Sequence, residues 1–312
     1  MQDLKSQDTY SQDTNLQDAN SQDIYWMDKA RVRASFDRAA QTYDAAAILQ
    51  KLVRTEMLSR LDLVKIKPKV ILDAGCGTGH GSFALQKKFS SAQVVSLDIA
   101  LAMLQKTYQQ QSFLSKLFKQ KNLVCADIER LPIASMSLGM VWSNLALQWC
   151  NDLDAAFGEV ARVLQPDGLF MFSTFGPDTL KELRTATHNV NTHVSRFIDM
   201  HDIGDALTRA GFSAPVLDVE RYTLTYDDVK GVMKDLKSIG AHNATQGRAR
   251  GLLGRGFLQK LTQQYEQFRQ TLEEGGKLPA TFEVVYGHAW KAESKTDLGI
   301  GVSPITFKTY KS

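Results

Sequence analysis

The segment Val70-Ile71-Leu72-Asp73-Ala74-Gly75-Cys76-Gly77-Thr78-Gly79 decides the fold of this chain. The apolar residues from Lys69 to Leu72 predict a short buried strand, and those from Gly79 to Phe89 have the pattern of a helix. A glycine loop between strand and helix makes a tight turn, admits a ligand close to the backbone and directs free helix amides at an anion. The segment therefore predicts a site for a nucleotide-like ligand.

Strand and helix patterns alternate on both sides of this loop. Apolar residues at helical spacing from Asp28 to Leu63 predict one or two amphipathic helices before it. After it, strands are expected at 93–97, 122–125, 138–143, 169–173, 216–225 and 282–290, and helices at 100–110, 153–164 and 202–210. This order predicts an α/β fold with a doubly wound, mostly parallel, seven-stranded sheet.

Two further helical segments interrupt the alternation. A helix is expected from Asp178 to His193, and residues 227–276 look largely helical. We interpret these as cap insertions, over about 178–200 and 227–276, above the carboxyl ends of the strands, where open α/β sheets bind ligands. The catalytic domain is expected to span 28–291. It lies between a disordered tail of Gln-Asp repeats at 1–27 and a second tail at 292–312.

The composition limits the classes of partner and the compartment. A net charge of +3 in 312 residues is too small to indicate general nucleic-acid binding. The 3 cysteines lack metal-ligand spacing, so we expect reduced thiols and no metal site. The first residues lack the basic start and apolar run that are typical of a secretion signal. No apolar run in the sequence is long enough to cross a membrane. We therefore expect a cytoplasmic protein.

Acidic residues after successive strands refine the ligand. Asp73 can accept from an ammonium group, and Asp98, about 20 residues after the loop, is placed to accept from ribose hydroxyls. A nicotinamide or flavin enzyme is the alternative. However, the glycines follow the spacing Gly75-x-Gly77-x-Gly79, which differs from G-x-G-x-x-G. The loop and the segment Ala126-Asp127-Ile128-Glu129-Arg130-Leu131-Pro132 together resemble class I methyltransferases.

That resemblance implies S-adenosylmethionine as cofactor. It implies that Asp127 accepts a hydrogen bond from the adenine amino group and that Ile128 packs against the ring, although Asp127 taken alone also suits a turn. The complete predicted cofactor set is Asp73, Gly75, Gly77, Gly79, Asp98, Ile99, Asp127, Ile128 and Asn144.

Flanking segments narrow the resemblance to the malonyl-[acyl-carrier protein] O-methyltransferases of biotin synthesis. They are Phe36 to Tyr43 with Leu49-Gln50, Asn144 to Trp149, Phe172 to Leu180, Asp199 to Asp205, and Leu236 to Asn243. The implied reaction methylates the free carboxylate of a malonyl thioester carried by an acyl carrier protein. An ionised acceptor needs no general base, so alignment and removal of water are expected to do most of the catalysis.

Five residues are candidates for the substrate pocket. Arg184 is expected to orient the malonyl carboxylate, with a plain surface arginine as the alternative. Tyr43 could close the cofactor pocket, and Gln148 and Trp149 could line the acceptor site; simple core packing also explains the two aromatic residues. His201 fits a helix-capping role as well as a role in the pocket.

A basic segment is the candidate docking surface for the carrier protein. From Leu236 to Tyr265 there is no Asp or Glu, and Arg248, Arg250 and Arg255 recur there. An acidic carrier protein would be attracted to it, although a solvated basic loop has the same composition. Two other functions stay open at this point. One is an arginine hydroxylase of the complex I assembly group, and the other is a noncatalytic cofactor-binding protein.

Overall fold

A computed structural model describes residues 26–111, 122–187, 197–238, 255–273 and 275–293. Within these ranges the helices, with two 3-10 turns at Leu147–Trp149 and Glu266–Phe268, are α1 (Lys29–Ala39), α2 (Tyr43–Ala46), α3 (Ile48–Leu61), α4 (His80–Lys88), α5 (Leu101–Gln110), α6 (Leu153–Val163), α7 (Lys181–Ala186), α8 (Met200–Arg209), α9 (Val229–Ser238) and α10 (Arg255–Tyr265). The strands are β1 (Val70–Ala74), β2 (Gln93–Asp98), β3 (Leu123–Cys125), β4 (Leu138–Asn144), β5 (Leu164–Phe175), β6 (Phe212–Tyr226) and β7 (Leu278–Lys291).

The strands form one 7-stranded sheet in the order β3-β2-β1-β4-β5-β7-β6. The first five strands in this order run parallel, and β7 is antiparallel to both β5 and β6. The predicted mostly parallel, doubly wound sheet is confirmed. Because the chain winds outward from β1 in one direction and from β4 in the other, the carboxyl ends of these two strands flank the crevice where such sheets bind ligands.

Helices cover both faces of the sheet because the central strands are apolar on both. On one face α3 contributes Leu49, Val53, Met57 and Leu61, which recur every fourth residue and are all buried. On the other face Phe157 of α6 packs against Phe170 and Phe172 of β5. The orientation of α3 is fixed by this buried stripe, and the fixed orientation determines which of its polar residues face the ligand crevice.

The antiparallel pair β6–β7 extends beyond the carboxyl edge of the parallel strands. β5 ends opposite Val284, whereas β7 pairs with β6 as far back as Leu278, six residues earlier along β7 and roughly 20 Å away. The described parts of both predicted insertions pack on this extension. Glu182 of α7 accepts the N–H and the hydroxyl of Thr281, at 3.0 and 2.5 Å, and the Tyr265 hydroxyl of α10 donates to the Pro279 carbonyl at 2.9 Å.

Several boundaries differ from the expected ones. The helical stretch before the glycine loop is three helices, broken near Ala40 and at Ala47. β5 begins at Leu164, five residues before the expected start, because Leu164 already pairs with Leu138 of β4. Met27, which was expected to belong to the tail, is buried, and its backbone exchanges two hydrogen bonds with the Asn151 side chain. In the described part of the chain, no helix is long and apolar enough to cross a membrane.

Candidate cofactor site

The glycine loop fits closely against two neighbouring segments. Gly75 has φ +79°, and a Cβ there would lie 2.3 Å from Cβ of Ala146. Gly79 has φ +90°, and a Cβ there would lie 2.5 Å from Cγ2 of Thr107. Both positions therefore require glycine for backbone conformation and for space. Gly79 does not line the ligand cavities described below, so its place in the predicted cofactor set is that of a turn residue.

Asp73 is the penultimate residue of β1 and is 2% exposed. Its Oδ2 accepts the Ser82 hydroxyl at 2.6 Å, and the Ser82 oxygen accepts the Ser96 hydroxyl at 2.7 Å. Burial raises the pKa of Asp73 to about 7, and the Ser82 hydrogen bond opposes that shift. A bound ammonium group would favour the charged carboxylate, which is the role that the sequence predicted.

Asp98 ends β2 and holds the loop in place. Its Oδ2 accepts the Gly77 N–H and its Oδ1 accepts the Ala100 N–H, both at 2.8 Å. Burial raises the pKa of Asp98 to about 6, and these two backbone bonds oppose the shift. Each carboxylate oxygen retains a second lone pair, so Asp98 can anchor the loop and still accept from ribose hydroxyls.

The nucleoside end of the site is a cavity over the carboxyl ends of β2 and β3. We call it the nucleoside cavity; its lining includes Phe36, Tyr43, Gly75, Gly77, Asp98, Ile99, Asp127, Ile128, Asn144, Ala146, Trp149 and Cys150. Ile128 is buried beside Asp127, the pairing expected for an adenine ring and its amino group. The tertiary fold thus brings the predicted nucleoside-binding residues together around one space.

Helix α1 closes this cavity through a contact that the sequence did not predict. Nζ of Lys29 lies 3.0 Å from Oδ2 of Asp127 and 3.1 Å from Oε2 of Glu129. Burial, the largest influence, lowers the pKa of Lys29, but the charges of Cys150, Asp127 and Glu129 together outweigh it and leave the pKa raised. Lys29 therefore ties α1 to the carboxylate that is expected to bind adenine.

A second cavity continues from the glycine loop toward α3. We call it the amino-acid cavity; it encloses about 820 Å³, and its lining includes Tyr43, Asp44, Gln50, Lys51, Arg54, Asp73, Gly75, Gly77, Thr78, His80 and Asn144. Asn144 joins its walls, since its Nδ2 donates to the Gln50 carbonyl at 3.2 Å and its Oδ1 accepts the Ser173 hydroxyl at 3.1 Å. Gln50 and Arg54 are functional candidates that the sequence argument did not single out. Their shared helical face, which borders the buried stripe of α3, was an available signal.

Tyr43, Gln148 and Trp149, three of the predicted substrate-pocket residues, each line at least one cavity. Tyr43 lines both cavities. Trp149 lines the nucleoside cavity and meets Phe36 edge-on, with ring centroids 5.2 Å apart. The Gln148 side chain donates to the Leu145 carbonyl at 2.7 Å. It faces a third space, the acceptor cavity, which encloses about 760 Å³ and adjoins the nucleoside cavity at Cys150.

The remaining predicted site residues lie elsewhere. Arg184 is half-buried on α7, and its guanidinium donates to the Pro177 carbonyl behind the wall of the acceptor cavity. His201 is 81% exposed, with Nδ1 at 2.7 Å from the Asp199 carboxylate that caps α8, and it lines none of these cavities. Arg248 and Arg250 lie outside the described residues, and Arg255 begins α10.

The sheet order, the glycine loop and the acidic residues after β1, β2 and β3 define a class I methyltransferase that uses S-adenosylmethionine. A family model described as a methyltransferase domain matches residues 72–172. The fold is also that of BH2331 from Bacillus halodurans, a solved structure assigned as a methyltransferase. That similarity has a TM-score of 0.54 at 17% identity and covers 77% of this chain and 100% of that one.

Similarity over most of the chain narrows this class to one family. A malonyl-[acyl-carrier protein] O-methyltransferase of Methylovorus sp. is 65% identical over 288 residues, covering 91% of this chain and 96% of the relative. A protein of the same name from Laribacter hongkongensis is 56% identical, covering 87% of this chain and 92% of the relative. The chain belongs to the malonyl-[acyl-carrier protein] O-methyltransferase family.

Proposed function

We propose that this enzyme transfers a methyl group from S-adenosylmethionine to the free carboxylate of a malonyl group carried by an acyl carrier protein. The observation that carries the proposal is the identity of 65% to a relative of that name, spread over 96% of the relative's length. The similarity thus extends far beyond the cofactor loop and its neighbouring strands. The product would be a malonyl methyl ester, the starting unit expected for biotin synthesis.

The arrangement of the site suits this acceptor. Asp73, Asp98 and Asp127 would hold the donor, which supplies a methyl group bonded to a positively charged sulfur. A carboxylate oxygen forms a bond to the methyl carbon as the sulfur–carbon bond breaks, and the bonding pair stays on sulfur. Opposite charges cancel in this step, so exclusion of water favours it. Tyr43 and Trp149 line the space beside the donor and would provide that exclusion.

We assign the thioester arm of the substrate to the acceptor cavity. This space meets the nucleoside cavity at Cys150 and combines apolar walls at Leu147, Phe175 and Phe197 with the amide of Gln148. Charged side chains, those of Asp152, Asp154, Asp199, Asp202 and Arg209, complete its lining. Such a lining suits a flexible arm that has a few amide groups along an apolar chain. The guanidinium of Arg184 donates to the carbonyl of Pro177, a residue that lines this cavity. We propose Arg184 as the group that orients the malonyl carboxylate.

The direct test is incubation with labelled S-adenosylmethionine and malonyl-acyl carrier protein, with mass analysis of the carrier. A gain in carrier mass of one methyl group is expected, and cleavage of the thioester should release the label together with the acyl group. Acetyl-acyl carrier protein is the matched control because it lacks the free carboxylate. Failure to methylate the malonyl carrier, in a preparation that binds S-adenosylhomocysteine, would refute the substrate assignment.

The role of Arg184 needs a comparison of acyl groups. Replacing Arg184 with methionine should reduce the preference for malonyl over acetyl thioesters in a competition binding assay by about tenfold, the worth of one charge-assisted hydrogen bond. An unchanged preference would transfer this role to another cation. Equal loss of both ligands would indicate that Arg184 only supports the loop at Pro177.

The docking surface is tested with charge reversal at Arg248, Arg250 and Arg255. These changes should reduce the use of malonyl-acyl carrier protein far more than that of malonyl coenzyme A, because only the carrier presents an acidic protein surface. Glutamate at the exposed Lys65, Lys67 and Lys69, just before the amino end of β1, is the matched control. Equal losses with both substrates would argue against docking by this segment.

A further inference from the structure

The amino-acid cavity contains two polar side chains of α3 that the methyl transfer step does not use. Gln50 and Arg54 lie one helical turn apart on α3, and both line this cavity together with Asp73. Their neighbours Leu49 and Val53 are buried in the core. The core contacts therefore fix the helix with Gln50 and Arg54 directed toward the glycine loop.

The guanidinium of Arg54 is partly removed from water but is not paired with another side chain of the described residues. It is half-buried, and burial, the largest influence, lowers the pKa of its guanidinium, while the charges of Asp73, Tyr43 and Asp44 oppose that shift. Within the described ranges it makes no hydrogen bond and no ion pair at contact distance. The Asp44 carboxylate, which lines the same cavity, is already bonded to Thr78 at 2.5 Å and to Gln110 at 3.0 Å. A partly desolvated guanidinium without a partner is suited to binding an anion.

Gln50 contributes an unpaired acceptor, whereas Arg54 contributes donors. Its side-chain oxygen Oε1 is buried and accepts no hydrogen bond from any residue that the structure describes. The residue itself is held in place, because Asn144 donates to its main-chain carbonyl at 3.2 Å. Buried polar atoms in folded proteins are nearly always paired, so an orphan acceptor in a ligand cavity indicates a donor on the ligand. Asp73, in the same cavity, is a second acceptor.

We propose that Arg54 binds the carboxylate of the amino-acid end of S-adenosylmethionine and that Gln50 Oε1 accepts from its ammonium group together with Asp73. One cation and two acceptors in a single cavity complement an α-amino acid, which carries a carboxylate and an ammonium on one carbon. The cavity thus selects donors that retain the intact amino acid. This inference concerns the cofactor and not the acceptor, so an error in the proposed substrate would leave it unaffected.

Three ligands separate the two contacts in calorimetric titrations without acceptor. They are S-adenosylhomocysteine, its decarboxylated analogue, which keeps the ammonium, and methylthioadenosine, which lacks both charged groups. Arg54→Met should weaken S-adenosylhomocysteine at least about tenfold and leave the other two within about threefold. Gln50→Met should weaken the first two ligands and spare methylthioadenosine.

Two further variants guard against trivial explanations. Lys87→Met removes an exposed cation of α4 that lines none of the three cavities, and little change is expected. Arg54→Lys should recover part of the lost affinity because it restores the charge without the planar fork. Equal weakening of all three ligands by Arg54→Met would overturn the proposal in favour of a structural role. Unchanged binding of S-adenosylhomocysteine, with a raised KM for the acceptor, would assign Arg54 to the substrate carboxylate.

Discussion

Acidification should weaken cofactor binding because two buried carboxylates must be charged to receive it. In the unliganded site the pKa of Asp73 is raised to about 7 and that of Asp98 to about 6, in both cases mainly by burial. The ammonium and ribose hydroxyls of the ligand favour the ionised forms, so binding should lower both pKa values. Below about pH 7 the ligand must therefore displace protons, and its affinity must fall.

The size of the effect follows from these two pKa values. Taking the bound-state values as well below 5, protonation of Asp73 at about pH 5.5 costs roughly a 30-fold loss of affinity, and protonation of Asp98 costs roughly a further fourfold. At about pH 8 both losses nearly vanish. The dissociation constant for S-adenosylhomocysteine should thus rise by roughly 100-fold over this interval, equivalent to about 3 kcal/mol.

Calorimetric titration at a series of pH values measures this rise. Repeating each titration in two buffers that differ in ionisation enthalpy gives the number of protons released, which should approach one near about pH 6.5 and increase at lower pH. Ser82→Ala provides a directional check. The Ser82 hydrogen bond opposes the raised pKa of Asp73, so its removal should move the onset of weakening to higher pH.

A substitution of a titratable residue in the same cavity provides the control for this pH dependence. His80 lines the same cavity, and its imidazole lies 3.3 Å from the Asp44 carboxylate, so His80→Gln is the matched control and should keep the pH dependence. A flat affinity between about pH 5.5 and 8, without proton release, would refute the assignment of Asp73 and Asp98 as charged ligands of the cofactor.

Three other outcomes are expected. Asp73→Asn should abolish cofactor binding. It should also raise the free energy of unfolding of the unliganded protein at about pH 8, by up to about 4 kcal/mol, because the buried charge costs stability as pH rises through its folded-state pKa. Denaturation at several pH values measures this difference. Gly75→Ala should remove binding and lower the free energy of unfolding by about 2–4 kcal/mol through its positive φ and its clash with Ala146, and adding Ala146→Gly should restore part of the stability. Lys29→Met should weaken S-adenosylhomocysteine binding by about 1 kcal/mol and speed hydrogen exchange in α1, because the salt bridge between Lys29 and Asp127 is lost. Unchanged hydrogen exchange would show that other contacts hold the helix.

Much of the site could be predicted from local patterns. Periodicity identifies the strands, the glycines identify the first turn, and the ends of parallel strands meet at one edge of a sheet. These rules suffice to bring Asp73, Asp98 and Asp127 to a common site. The same rules could not extend to β7, where the antiparallel extension that supports the insertions depends on pairing between distant segments.

The sequence by itself determined the glycine loop, its place between strand and helix, and the acidic residues that make the ligand S-adenosylmethionine. The tertiary structure decided which other side chains reach that ligand. Lys29 meets Asp127 across 98 positions of the sequence, and Arg54 faces the loop because buried neighbours fix the rotation of α3. Arg184, in contrast, bonds to the Pro177 carbonyl behind the acceptor cavity. Helical spacing shows on which face of the helix a residue lies. It does not show what that face contacts, because the contacts depend on how distant segments pack together.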